Sequence, residues 1–563
     1  MWDWDEALFC LGLRGYNVVQ HHPHPPGYPL FIALGHLVRP FTHSDFLALQ
    51  IVVMASGAAL LPLMFFFAHE ARFPFASALG GALIFVFLPN VWIYCGSAMS
   101  DVPALALTLA ACALLLGGCR SNRAYLAGAI CLGLAAGIRP QALMAGIACG
   151  AIATLIRWRE NRRVVAIGAI AGAIVVVACY GGAAIESESP AGYLAAVRSQ
   201  SYYVSVVDSY RNPGRTPLPK LLAPFFVTPV KANAVEIVSI LAAIGGVAAI
   251  ALRRVGGLIA IATFGPLAIF SWLMLDISAI SRYAIGYMPL HALLAADALT
   301  VIATFALRPQ LAEKIAATAC VAVAASLAVW TWPATRRVRS NDAPPMAAIR
   351  WVLHNAYPGA GTLFVHNGFG PFADYFLRPY QTFFFERVSE VPYGGYTEPA
   401  FVLIPEFSRA ADAHVFARPH DRLWRIVRAR YFEASVVPAW DLLRFGRGWH
   451  DEEGDGVNNW RWMTRSSETL LPPLGARGRL TVRMYAPLNA LPVQPEIEVR
   501  LNGAVIDRFV VPRAEFQKSW IVDARGGAAN ELVLTTSAAA KNPGDPRELG
   551  LKLLAMTWQP SNR

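Results

Sequence analysis

Between residues 46 and 333 the chain runs for long stretches with almost no charged side chain, and this pattern limits what it can fold into. In hydrocarbon every backbone N–H and C=O must be satisfied within the segment, so a spanning helix needs about 20 mostly apolar residues. Ten candidate spans follow: 46–68, 75–95, 103–118, 124–138, 141–157, 163–183, 234–252, 256–275, 283–306 and 313–333. Arg139-Pro140 interrupts the pair 124–138 and 141–157, which reads either as two short helices with a tight turn or as one long kinked helix. Two helices keep the topology consistent. Residues 334–563 have the mixed composition of a soluble protein. Overall only 15% of residues are charged, against about 25% in a typical soluble domain. The deficit falls on the first part, which predicts a membrane part followed by a soluble part.

Threading the spans with the N-terminal segment outside places 69–72, 119–123, 157–163, 253–254 and 308–313 inside. Most of these loops are short and rich in Arg, as the positive-inside rule requires. Arg336-Arg337-Val338-Arg339, just outside the last span, goes against the rule. The outside segments are then 1–45, 96–102, 139–140, 184–233, 276–282 and everything after 333. Much of the net charge of +11 is absorbed in setting topology, and no basic stripe interleaved with aromatic platforms points to nucleic acid. The eight cysteines, at 10, 95, 112, 119, 131, 149, 179 and 320, form no CxxC pair. Most lie in apolar spans, so they read as small buried thiols and not as a disulfide or zinc framework. The opening Met1-Trp2-Asp3-Trp4-Asp5-Glu6 is loop-like and acidic, and a membrane helix upstream of Met1 is expected.

The threading puts Asp5, Glu6, Asp101, Arg139 and Arg282 on one side of the membrane, near span ends. A carrier whose lipid tail pins its phosphate at the interface would meet them there. Asp5-Glu6 is followed by Tyr16 and by His21-His22-Pro23-His24-Pro25-Pro26-Gly27-Tyr28-Pro29. Taken alone, the two acids could simply cap an interfacial helix. Asp101, in Ser100-Asp101-Val102-Pro103, reads as a helix start or as a functional acid. Arg139 reads as a phosphate ligand or as a snorkelling side chain. Arg282-Tyr283 reads as a phosphate clamp or as an interface anchor. The Tyr- and Arg-rich loop 184–233 suits either sugar stacking or a helix lying on the membrane.

An Asp-Glu pair followed after some fifteen to twenty residues by His-Pro-Pro-Gly-Tyr-Pro resembles the first extracytoplasmic loop of GT-C fold glycosyltransferases. This superfamily includes protein O-mannosyltransferases and the aminoarabinose transferases of lipid A. The resemblance covers roughly residues 1–335 and implies a GT-C-like transmembrane domain. It further implies that Asp5 is the general base, with Glu6 orienting it or contacting the acceptor. Asp101 would be a second acid, and Arg282-Tyr283 would match an Arg-Tyr pair at the start of a late helix. The expected donor is a sugar on polyprenyl phosphate and the expected acceptor a glycan, lipid or protein, with transfer by one inverting displacement. Arg139, Arg282, Tyr283, His24 and Tyr28 are the expected substrate-binding residues. Two arginines serve a monophosphate leaving group, whereas a diphosphate would call for a divalent metal. No convincing ligand cluster is visible, so no cofactor is expected. A lipid-linked saccharide transporter or flippase, or a non-catalytic glycan-binding assembly protein, would share the spans. A transporter would favour inverted repeats and polar groups at the bilayer midplane. The expected location is a bacterial inner membrane with the tail in the periplasm.

In the tail, 345–460 mixes a helix at 346–355, strands at 362–366 and 401–405 and a mixed segment at 422–430, predicting a small α/β domain. Residues 461–563 read as a β-sandwich. Segments 496–501 and 504–511 flank Asn502-Gly503, a type I′ hairpin signal. Further strands are expected at 479–485, 519–522, 531–536 and 549–558. The sandwich is either a glycan-binding module or a structural, partner-docking domain.

Overall fold

Short polar side chains start several of the helices. Ser44, Ser121, Asn161 and Ser189 each accept a hydrogen bond from a backbone N–H in the first turn that follows, which satisfies a donor with no intrahelical partner. The computed structural model describes residues 1–230, 236–275, 280–406, 412–417, 433–454, 459–473, 476–491, 493–541 and 545–560. The expected mixed segment 422–430 lies outside them. The described residues divide into a helical unit, residues 1–341, and a second unit formed by those from residue 342 onward.

Among the described residues of the helical unit, six helices are long and apolar enough to cross a membrane: Asp45–Glu70, Ala142–Glu160, Arg162–Glu186, Val255–Met274, Met288–Ala306 and the helix that begins at Pro309. Four other expected spans form shorter apolar helices, Phe75–Val86, Asp101–Gly117, Asn122–Ile138 and Ile237–Ala251. The expected span 75–95 is broken, because Pro89 opens a separate helix, Pro89–Tyr94, and proline cannot donate to the preceding turn. Arg139 and Pro140 separate two distinct helices, not the halves of one kinked helix. The segment 1–45 contains two short helices, Trp4–Arg14 and Pro29–Val38, placed by buried Phe9, Leu11, Leu13 and Phe31.

Ion pairs tie this unit together away from the candidate site. Arg14 and Arg39 share the buried carboxylate of Asp45, at 2.9 and 2.7 Å. Asp297, within Met288–Ala306 and 1% exposed, takes a two-point contact from Arg254 at 2.6 and 2.7 Å and accepts from Ser77 Oγ at 3.0 Å. The helices Ile237–Ala251 and Met288–Ala306 approach so closely that a Cβ on Gly245 would lie 2.0 Å from the Leu294 carbonyl oxygen.

The second unit opens with the helix Pro344–Asn355 and a five-stranded sheet. Its strand order is Thr382–Phe385, Thr362–His366, Ala400–Ile404, Glu433–Pro438, His414–Ala417. The first three strands are parallel and the last two join antiparallel. The remainder is a sandwich of two five-stranded sheets. Its inner faces follow from alternation. In Arg477–Tyr485, Leu480, Val482 and Met484 point inward and pack with Val499, Leu534 and Trp558. Asn502 and Gly503 both take positive φ, 52° and 85°, as the hairpin signal requires. The sandwich begins earlier than residue 461. Arg444–Phe445, Trp449–Gly454 and Asn459–Met463 are strands of its two sheets, because their apolar residues Phe445, Trp449 and Met463 pack into its core.

Removing one partner of a buried ion pair costs about 3–5 kcal/mol, mostly because the other charge is stranded. Arg254→Ala is therefore expected to lower the melting temperature of the detergent-purified protein. Adding Asp297→Asn should recover part of the loss. A double variant no more stable than Arg254→Ala would count against this reading of the pair.

Candidate functional site

The loop between the first two helices is folded by contacts that leave little choice of residue. Gly27 has φ 102°, and a Cβ there would lie 2.2 Å from Tyr16 Oη, so only glycine fits. Tyr16 Oη donates to the Gly27 carbonyl at 3.0 Å, and Tyr193 Oη donates to the Pro26 carbonyl at 3.0 Å. His22-Pro23 and Pro25-Pro26 are cis. The His24 and Tyr28 rings of the loop pack against Phe9 of the first helix, and Tyr28 Oη and His24 Nε2 lie 2.7 Å apart.

The loop faces an alternating chain of charges. Arg282 binds Asp5 through Nη1 and donates to Asp101 Oδ2 through Nε at 2.9 Å. Asp101 Oδ1 lies 2.5 Å from Arg139 Nη1. Three of these residues sit at helix ends. Asp101 starts Asp101–Gly117, Arg139 follows Asn122–Ile138, and Arg282 precedes Met288–Ala306. The ends of separate helices thus meet at one level. Tyr28 and Tyr283 wall the arginines, with Arg139 5.5 Å from the Tyr28 ring centroid and Arg282 5.6 Å from that of Tyr283. This places guanidinium groups over ring faces, a favourable electrostatic contact. His24 Nδ1 lies 3.6 Å from Asp5 Oδ1.

The members differ in access. The side chains of Arg282, Asp101 and Arg139 are 4%, 8% and 9% exposed, while Asp5 is 18% exposed. Asp101 has an arginine on each carboxylate oxygen, which leaves Asp5 as the more accessible acid. Burial lowers His24 from near 6.5 to about 4, and the nearby Arg282 and Arg139 add to the shift against the pull of Asp5. His24 is therefore a neutral ring at physiological pH. Burial and the neighbouring Asp5 carboxylate raise Asp3 to about 6. Asp3 caps the first helix by accepting from Asp5 N at 3.1 Å. It was not among the expected site residues, although it stands in the same Trp-Asp-Trp-Asp-Glu run.

Of the two expected roles of Glu6, orienting Asp5 or contacting the acceptor, its contacts fit the first. It is 1% exposed, with one oxygen accepting from the backbone N–H groups of Trp2 and Asp3 and the other from Ala98 N at 2.9 Å. Its carboxylate ties the start of the first helix to the segment before Asp101, and so holds the two acids relative to each other.

A cavity of about 60 Å³ opens beside the cluster. Asp101, Arg139 and Tyr283 line it together with Leu105, Leu267 and Phe270. Charged groups thus adjoin an apolar slot between the helices Asp101–Gly117, Ala142–Glu160 and Val255–Met274. Residues so disposed suit an amphiphile with an anionic head.

The geometry defines a site of paired acids and arginines at the helix ends of a multi-span helical unit. Among solved structures the chain is similar to ArnT from Cupriavidus metallidurans. The undecaprenyl phosphate-bound and apo structures give TM-scores of 0.47 and 0.46, at 12% identity over 77% of this chain and 93% of that one. It is also similar to the arabinofuranosyltransferase AftD from Mycobacteria, with a TM-score of 0.44 at 11% identity over 99% of this chain and 57% of that one. No family model and no curated protein matches the sequence. Likeness at this level carries no residue roles, which rest on the geometry above.

The shift at His24 has a definite sign. The unfolded chain takes up this proton near pH 6.5 and the folded chain only near 4. The stability involved is full above 6.5 and is lost as the pH falls toward 4. A plot of melting temperature against pH should fall less steeply over that window in His24→Gln than in the wild type. Identical slopes would contradict the assignment.

Proposed function

We infer that the protein is a membrane glycosyltransferase that moves a sugar from a polyprenyl-phosphate donor to an extracytoplasmic hydroxyl. The observation that carries this reading is the shared position of Arg282, bound at once to Asp5 and Asp101 beside an apolar slot. A phosphomonoester on a lipid tail suits that place, with the tail in the slot and the head group on the guanidinium groups of Arg282 and Arg139. Arginine is suited to this because its planar fork presents several donors to phosphate oxygens.

A phosphate reaching Arg282 competes with Asp5 for the same guanidinium group. Once released, Asp5 can accept a proton from the acceptor hydroxyl. The acceptor oxygen then forms its bond to the anomeric carbon as the bond to the phosphate oxygen breaks, and the leaving polyprenyl phosphate keeps the bonding pair. Arg282 and Arg139 offset the charge developing on that oxygen. A single displacement inverts the anomeric centre. In this scheme Asp101 holds the two arginines, and the neutral rings of His24 and Tyr28 shape the sugar side of the site. Arginine-rich short loops at the opposite helix ends support a plasma-membrane placement with the site facing outward.

The test is incubation of the detergent-purified protein with labelled polyprenyl-phosphate sugars, reading release of polyprenyl phosphate. Removal of a general base typically costs about 10²–10⁴-fold, so Asp5→Asn should lose at least about a hundredfold in turnover while lipid binding persists. Arg282→Lys, which loses the fork, should weaken both turnover and donor affinity. Near-normal turnover in Asp5→Asn would overturn the reading.

A further inference from the structure

A second cavity, of about 600 Å³, lies wholly within the second unit. Its floor is the carboxyl edge of the parallel strands. His366 ends Thr362–His366, Glu386 follows Thr382–Phe385, and Glu406 follows Ala400–Ile404. The chain runs from the first of these strands to the neighbour on one side and then to the neighbour on the other. The carboxyl edge of an open parallel sheet, where strand order reverses in this way, is where ligands of such sheets sit. The roof comes from the sandwich, through Phe445, Arg447, Trp449, Asp451 and Arg461. The volume falls in the ~300–1,000 Å³ range of small-molecule sites.

The lining decides the ligand class. Arg461, with its side chain only 9% exposed, pairs with Glu406 at 2.5 Å and donates to the His450 carbonyl at 3.0 Å. Its Nε is buried without a hydrogen-bond partner among the described residues, although a buried donor is normally satisfied. Trp449 is fixed by an Nε1 bond to Thr469 Oγ1 at 3.0 Å and stands edge-on to Phe445 at 5.4 Å. The lining acids Glu386, Glu406 and Asp451 balance the arginines Arg387, Arg447 and Arg461. A nucleotide or other polyanion would face as many acids as arginines. A neutral polyol meets what it needs: carboxylates and guanidinium groups for its hydroxyls, and the parts of the half-buried Phe445 and Trp449 rings that line the cleft for its C–H surfaces.

We propose that this cleft is a binding site for a short neutral saccharide. The inference goes beyond the transferase reading and stands without it.

The experiment measures equilibrium binding to the full-length detergent-purified protein. The probes are trisaccharides of mannose, galactose, glucose and arabinose, with ADP and inorganic phosphate as anionic comparators. At least one trisaccharide should bind saturably. Glu386 and Arg447 are exposed, so Glu386→Gln and Arg447→Ala should fold normally. Each should weaken that binding by about tenfold, as expected for loss of one hydrogen bond to a charged group. Asp5→Asn should bind the same saccharide with wild-type affinity, since Asp5 belongs to the other unit. Three results would each overturn the proposal: no saturable binding to any trisaccharide, saturable binding confined to the anions, or unchanged affinity in both cleft variants.

Discussion

A charged side chain at membrane depth is costly unless another charge answers it. In the helical unit that requirement is met by sharing. Arg282 serves two carboxylates and Asp101 serves two arginines, so four helix-end or loop segments are held by one continuous run of ion pairs. The same economy recurs where Asp45 serves Arg14 and Arg39. Each shared group fixes the separation of the segments that carry its partners. The placement of the helix ends and the electrostatics of the candidate site are therefore one problem with one solution.

Backbone-directed contacts support that run. Glu6 gives both of its oxygens to main-chain N–H groups from two parts of the chain. The loop before Pro29 closes around a glycine that no side chain could replace. These features hold Asp5, His24 and Tyr28 in place without touching what Asp5 faces. Rigid support of this kind would keep reacting groups near a productive geometry in the proposed transfer.

Much of this was legible in the sequence because the membrane restricts the options. Apolar run length marked the long helices, and the requirement that charges sit at span ends brought Asp5, Asp101, Arg139 and Arg282 to one level. Alternation marked the sandwich strands, and Asn502-Gly503 marked the hairpin. What escaped was decided by tertiary contact. The backbone role of Glu6 depends on Ala98, more than ninety positions away. The cleft in the second unit joins strand ends to a sandwich roof that no local motif links. The start of the sandwich before 461 escaped because the polar run 450–454 hides a strand pattern behind charged residues with distant partners, such as Glu453 with Arg547.

The charge run of Asp5, Arg282, Asp101 and Arg139 has a consequence for how a ligand can arrive. Two acids and two bases in contact cancel, so little field extends into the solvent, and beyond about 10 Å salt screens what remains. On the proposed reading, dissolved anions would not be drawn to this cluster from a distance, whereas a head group carried along the bilayer at the depth of the slot would meet the arginines at contact range, where their donors act one by one. Selection at such a place would work by address, through the level at which a molecule travels, before any atom of it is recognised.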